Sequence, residues 1–214
     1  GSWGDIGCFS FFPTKNLGAA GDAGAVTVKD SLLAKKIREL AVHGMPQRYL
    51  HSDLGYNSRL DAVQAAILNV KLPSLKIWIR KRESISKRYL ELLSDVEGIE
   101  LPQLSELKER RHSWNQFVIK IKINDNYLVR FSPLSARDWL KKNLEDLGVN
   151  TIIYYPIPIH LQPAYKGKLS PQIHLPLTEE ICEDVLSLPV FPELTQEEQD
   201  YVVSSIKQII AKLL

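Results

Sequence analysis

The chain opens on Gly4-Asp5-Ile6-Gly7-Cys8-Phe9-Ser10-Phe11, an apolar run of strand character with no helix or capping residue ahead of it. A buried strand needs a hydrogen-bonded neighbour on each edge. The opening residues are therefore expected inside a domain rather than at its start. Pro13 to Asp22 follows as a loop dense in Gly, Asn and Pro. Ala25 to Val28 reads as a second short strand. Asp30 or Ser31 caps a helix whose apolar stripe is Leu32, Leu33, Ile37, Leu40 and Ala41.

His43 to Ser58 reads as a polar loop, Arg59 to Leu72 as a helix broken by Pro73, and Ser74 to Leu93 as a longer amphipathic helix. Phe117 to Ile121 is a clear strand. Ser135 caps a helix through Leu147 with Gly148 at its end. Val149 to Tyr155 is strand-like, and Pro156 to Pro176 is irregular. Thr195-x-x-Glu198 is a capping box that opens a last helix, with Val202, Val203, Ile206, Ile209 and Ile210 facing inward. Strands, helices, then strand–helix–strand–helix describe an α/β or α+β chain. A boundary near residues 58–73 separates the tail of a larger domain, 1–72, from a small mixed domain, 73–214.

Composition narrows the function. A net charge of +2 gives no reason to expect nucleic acid as a partner. The dense basic stretch from Lys71 to Arg88 is interleaved with Leu72, Leu75, Trp78, Ile79, Ile85 and Tyr89, so it reads as the solvated face of an amphipathic helix. No apolar run is long enough to span a bilayer. Cys8 and Cys182 sit in apolar contexts and are expected to be reduced and buried, in a cytoplasmic protein. His43, His51, His112 and His174 lack metal-ligand spacing, and no metal is expected.

The stretch from Ser10 to Gly24, Ser-Phe-Phe-Pro-Thr-Lys-Asn-Leu-Gly-Ala-Ala-Gly-Asp-Ala-Gly, carries the most chemistry. A hydroxyl and a lysine follow a strand end on a Gly-rich loop. A lysine that condenses with a carbonyl needs a fixed strand end behind it and an apolar wall, which Phe9, Phe11, Phe12 and Pro13 are placed to supply. A serine hydroxyl and loop N–H groups suit a phosphate. On residue chemistry alone, a surface lysine on a glycine-turned loop is the default, because a short motif specifies little.

The motif Phe9-Ser-Phe-Phe-Pro-Thr-Lys-Asn-Leu-Gly with Gly21-Asp-x-Gly resembles the cofactor-lysine loop of the DegT/DnrJ/EryC1/StrS sugar aminotransferases, which depend on pyridoxal 5′-phosphate (PLP). The likeness continues through His43-Gly44, Gly55 to Asp61, Gln64 to Leu68 and Lys71-Leu72. It resumes at Trp114 to Phe117, at Ile153 to Gln162 and at Leu186 to Leu194. These blocks fall in family order across nearly the whole chain. Position 23 is Ala where the family commonly has Gly.

The resemblance implies an aspartate-aminotransferase-like (type I PLP) fold, of which this chain is the C-terminal part: the last strands of the large domain plus the small α+β domain. It makes Lys15 the lysine that forms the Schiff base and shuttles the proton. Ser10 matches the serine at the cofactor phosphate. Asn57 matches the asparagine that reaches the cofactor phosphate of the neighbouring subunit, in a homodimer with shared active sites. Arg59 is an anionic-substrate contact or the partner of Asp61. Tyr155 and His160 lie on the Pro-rich loop facing the nucleotide-sugar pocket, His160 reading equally as a satisfied loop histidine.

The activity implied is transamination of a nucleotide-linked keto-sugar with glutamate as donor, for cell-surface polysaccharide or amino-sugar synthesis. The loop around Tyr155 and His160 leans towards C3-keto sugars. Lysine at position 15 separates the chain from the family's dehydratase branch, which carries histidine there. The family places the aspartate for the pyridine nitrogen, the stacking aromatic and a phosphate loop upstream of the lysine. The chain is accordingly expected to be a poor transaminase alone. The alternative is a non-catalytic fragment or assembly module that dimerises or pairs with a separate N-terminal half.

Overall fold

The computed structural model describes residues 1–103, 111–123, 134–165, 167–168 and 173–212. Two compact units emerge, residues 1–78 and 79–214. Pro171, part of the irregular stretch expected before Pro176, lies outside the described residues.

In the first unit, strands β1 (Ile6–Ser10) and β2 (Gly24–Val28) pair antiparallel, with Ile6 opposite Val28 and Ser10 opposite Gly24. Among the described residues β1 is paired along one edge only. Gly7 is its sole buried residue, and Phe9 is 44% exposed. Cys8, expected to be buried, is exposed, as are its strand neighbours Phe9 and Ser10.

Helix α1 (Ser31–Ala41) is capped by Asp30, whose Oδ1 accepts from Leu33 N at 2.8 Å. Its expected apolar stripe is at best half-buried, and Leu32 is exposed. Helix α2 (Ala62–Lys71) starts later than expected, with Asp61 as its N-cap. Pro73 does not end the helical run but sits in a 3₁₀ turn, Leu72–Ser74, that leads into α3 (Leu75–Leu92). Pro at the start of a helical segment lacks only an N–H that would have no partner there.

The second unit holds the core. Strands β3 (Ile99–Glu100), β4 (Phe117–Ile121) and β5 (Val185–Leu188) form an antiparallel sheet in that order. On β4 the alternation is clean: Phe117, Ile119 and Ile121 are buried, Val118 and Lys120 partly so. Helix α4 (Ala136–Asp146) adds Leu140 and Leu144, and α6 (Gln196–Ile210) adds Val202, Val203, Ile206, Ile209 and Ile210. Full burial of each large aliphatic or aromatic side chain contributes about 1.5–3 kcal/mol.

Both caps predicted in this unit form. Ser135 accepts from Asp138 N at 3.2 Å. Thr195 and Glu198 exchange bonds of 3.2 and 2.8 Å as a capping box. Gly148 closes α4 at φ +78°, a conformation that glycine adopts without steric cost.

Three expectations are corrected here. Val149 to Tyr155 is not a strand: only Ile152 bridges to Ser187, after which the chain turns into the proline-rich stretch. Helix α5 (Pro176–Asp184) begins at the last residue of the segment read as irregular, with Pro176 at its first turn. The basic face of α3 is not wholly solvated. Arg82 is buried and donates to the carbonyls of Trp114 (3.1 Å) and Val190 (2.6 Å). Nearby, Tyr89 is fully buried, donates to Pro189 O at 3.1 Å, and has its hydroxyl pKa pushed up by that burial. Cys182 is buried, as expected.

Candidate active site

β1 ends at Ser10, and the chain folds back on itself at once. Phe11 N donates to Ala23 O at 2.8 Å, Ala19 N to Phe11 O at 2.8 Å and Lys15 N to Phe12 O at 2.9 Å. Residues 11–19 are thereby closed into a loop with Lys15 near its tip, exposed. Gly18 is required by close approach: a Cβ there would lie 2.3 Å from Pro13 O. The Ser10 hydroxyl accepts from Phe12 N at 3.3 Å. It keeps its own O–H for an outside acceptor such as a phosphate oxygen.

Two side chains of α2 hold the far limb of this loop. Gln64 Oε1 accepts from Ala20 N at 2.9 Å, and Lys71 Nζ donates to Gly18 O. Residues 64, 68 and 71 share one helix face, and Leu68 between them is buried. Neither Gln64 nor Lys71 was singled out by sequence reasoning, although both fall in the resembling blocks. Their partners are backbone groups far away in the chain, so no local pattern marks them.

Asn57 lies on a second backbone path of the same unit. It bridges to Val42, and Ser58 N donates to Ala41 O at 2.9 Å. Its Oδ1 accepts from Arg59 Nε at 3.3 Å, which leaves the amide NH₂ of Asn57 as the donor end. Arg59 therefore turns to Asn57 rather than to Asp61. Both residues are exposed.

Tyr155 and His160 belong to the second unit. Tyr155 is 64% exposed, its ring edge-on to Tyr154 at 5.4 Å. His160 stands in a 3₁₀ turn, Ile159–Leu161, and its Nε2 lies 2.9 Å from Glu179 Oε1 on α5. Glu179 also accepts from Leu175 N at 3.0 Å. The His160 hydrogen bond, and then the Leu175 N–H, hold the Glu179 carboxyl below its ordinary pKa. Among the described residues no group of three or more His, Cys, Asp or Glu is placed to hold a metal ion. No helix of those residues is long and apolar enough to cross a membrane.

The DegT/DnrJ/EryC1/StrS aminotransferase family matches this chain over residues 1–207. The chain belongs to that family. It is 41% identical to a protein of Geobacillus stearothermophilus named pleiotropic regulatory protein, over 97% of this chain and 52% of the relative. It is also 41% identical to the UDP-N-acetyl-3-dehydro-α-D-glucosamine 3-aminotransferase of Acidithiobacillus ferrooxidans, over 98% of this chain and 52% of that one. NtdA of Bacillus subtilis, solved with bound cofactor PMP, superposes with a TM-score of 0.82 at 35% identity, covering 99% of this chain and 47% of NtdA.

The chain thus spans about half the length of the curated relatives it matches. Its fold is part of the type I fold of PLP sugar aminotransferases. Members of the family use PLP. The residues of this DegT/DnrJ/EryC1/StrS chain fit such a group on two sides. Lys15 offers an exposed primary amine on a loop closed by its own backbone, and Ser10 offers a free hydroxyl proton at the strand end.

Proposed function

We propose that this chain is the lysine-bearing part of a PLP-dependent aminotransferase that transfers an amino group from glutamate to a nucleotide-linked keto-sugar, in amino-sugar or cell-surface polysaccharide synthesis. One observation carries the reading. The single lysine of the family motif stands exposed near the tip of a loop locked by three backbone hydrogen bonds and by a glycine that admits no Cβ. A solvated surface lysine needs none of that construction.

When bound, PLP supplies an electron sink for charge developing at the donor's Cα. Lys15 would hold the cofactor through its ε-amino group and, when that amine is free, would serve as the base that takes the proton from the donor's Cα. Ser10 would donate its hydroxyl proton to the cofactor phosphate. Asn57 presents its amide NH₂ to a phosphate across a homodimer interface, and its Oδ1 keeps the Arg59 guanidinium in place for an anionic group of the substrate. Tyr155 and His160 contact the sugar nucleotide. The sugar is read as a C3-ketone. The Acidithiobacillus relative, by its name, acts at C3 of a UDP-linked sugar.

The test uses the intact protein as purified. Addition of PLP is expected to give visible absorbance, which glutamate bleaches. Borohydride followed by peptide mass spectrometry is expected to find the label on Lys15, and Lys15→Ala is expected to remove absorbance, label and turnover together. Unchanged cofactor attachment in the Lys15→Ala protein would falsify the assignment. The 214-residue polypeptide by itself is expected to transaminate poorly, measured as pyridoxamine phosphate formed from glutamate. A chain that never takes up colour, even in the intact protein, would instead be a non-catalytic assembly module.

A further inference from the structure

Glu179 has no role in the chemistry described so far, yet three nitrogen groups converge on its carboxylate. One oxygen, Oε1, takes Nε2 of His160 at 2.9 Å, the backbone N–H of Leu175 at 3.0 Å and Nδ1 of His174 at 3.3 Å. The His174 side chain is 76% exposed and contributes least, whereas the His160 side chain is only 6% exposed. Glu179 lies in the first turn of α5, where a negative charge is favoured by the helix dipole and by unpaired N–H groups. Its carboxyl is held ionised by the His160 and Leu175 hydrogen bonds.

An ionised carboxylate only accepts hydrogen bonds, so the proton on this contact must belong to His160 Nε2. Neutral imidazole carries one N–H, and the other nitrogen is then an acceptor. A ring buried this far cannot exchange its nitrogens without breaking the 2.9 Å contact. The ring is therefore fixed in both orientation and tautomer by a residue that need not touch substrate itself.

We propose that Glu179 is a positioning residue that fixes the His160 ring with Nε2–H on its carboxylate, so that the neutral tautomer presents Nδ1 as an acceptor for a hydroxyl or amide N–H of the sugar ring. This rests on the reading of His160 as a keto-sugar contact. It also deepens that reading, because an acceptor nitrogen matches a sugar's donor groups and opposes the acceptor oxygens of the diphosphate. The nucleotide's phosphates are left to cationic or N–H groups elsewhere.

The experiment uses the intact enzyme labelled with ¹⁵N-histidine, with the His160 signals assigned by their loss in His160→Asn. Above the histidine titration, Nε2 is expected to show the protonated shift and Nδ1 the lone-pair shift. A protonated Nδ1 overturns the proposal. Kinetics with UDP-N-acetyl-3-dehydro-α-D-glucosamine as the probe supply a second readout. Glu179→Ala is expected to raise its KM about tenfold, the worth of roughly one hydrogen bond, with the KM for glutamate unmoved.

Glu179→Gln keeps a carbonyl acceptor and is expected to recover most of that loss. Residues acting as one unit are not additive, so Glu179→Ala/His160→Ala is expected to be no worse than His160→Ala. Multiplying effects would show Glu179 acting structurally and overturn the proposal. An unchanged keto-sugar KM in His160→Ala overturns the sugar contact. Wild-type protein that transaminates no keto-sugar fails the underlying reading instead, and the nitrogen shifts then decide the role of Glu179 alone.

Discussion

Lys15 is useful only if its loop cannot wander, and the loop is held by single atoms. Gly18 is the sharpest case. Alanine there would bring a Cβ to 2.3 Å from Pro13 O and 2.8 Å from Pro13 C, both backbone, so the loop itself must move. Overpacking of this kind costs about 1–3 kcal/mol, and its effect falls on the segment that presents Lys15. Gly18→Ala is expected to weaken PLP uptake by roughly tenfold or more, read by absorbance titration of the intact protein. Gln64→Ala leaves Ala20 N without its side-chain acceptor, a loss of about 1 kcal/mol. It should loosen the same loop more mildly, whereas Gln64→Glu keeps an acceptor oxygen and should not. Ser10, Lys15 and Asn57 are the candidates the sequence singles out, because the motif blocks that carry them are contiguous. Gln64, Lys71 and Glu179 are not among them, because each acts on a group that only the fold brings near: Ala20, Gly18 and His160.

At the level of elements, local signals were read correctly wherever a side chain meets its own helix. Thr195, Ser135 and Asp30 cap as their spacing requires. Thr195→Ala is expected to cost about 0.5–2 kcal/mol, seen as a lowered denaturation midpoint, since α6 supplies five core side chains. Elements defined by distant partners were missed. Val185 to Leu188 is buried at every position and so lacks the alternation that marked β4. Pro176, taken as irregular, instead begins α5. Val149 and Thr151 are buried like strand residues but find no ladder. Helix α5 also has a pH signature. His160 and Leu175 N–H depress Glu179, and Lys122 depresses Glu180. A depressed folded pKa contributes stability that is complete above the unfolded value, near 4.5, and lost as pH falls through the folded values below it. Amide exchange of α5 is expected to quicken over that acidic window. Glu180→Gln should flatten the response, and an unaltered profile in that variant would remove Lys122 from the account.

Across the whole molecule the two units differ in kind. Residues 79–214 bury a continuous cluster running from Ile85 and Tyr89 through Phe117, Ile119, Leu140, Leu144 and Leu186 to Ile206 and Ile210. In residues 1–78 the buried apolar side chains are only Ala19 and Leu68, while Trp3, Phe9, Phe12, Val26, Leu32, Leu54 and Val70 are exposed. Apolar surface of that extent is normally covered in a stable fold, and residues fixed without burial must offset about 1–2 kcal/mol of backbone entropy each. The second unit has the burial to offset that cost and the first does not. A polypeptide of residues 75–214 should therefore melt cooperatively, with Trp114, 4% exposed, reporting the transition by fluorescence. Without cofactor, hydrogen exchange should protect β4, β5, α4 and α6 while β1, β2 and α1 exchange quickly. When PLP is bound the same three elements should become protected, because the loop carrying Lys15 can hold a cofactor only on a supported strand end. Fast exchange of β1 in protein that binds PLP firmly would break that link between support and attachment.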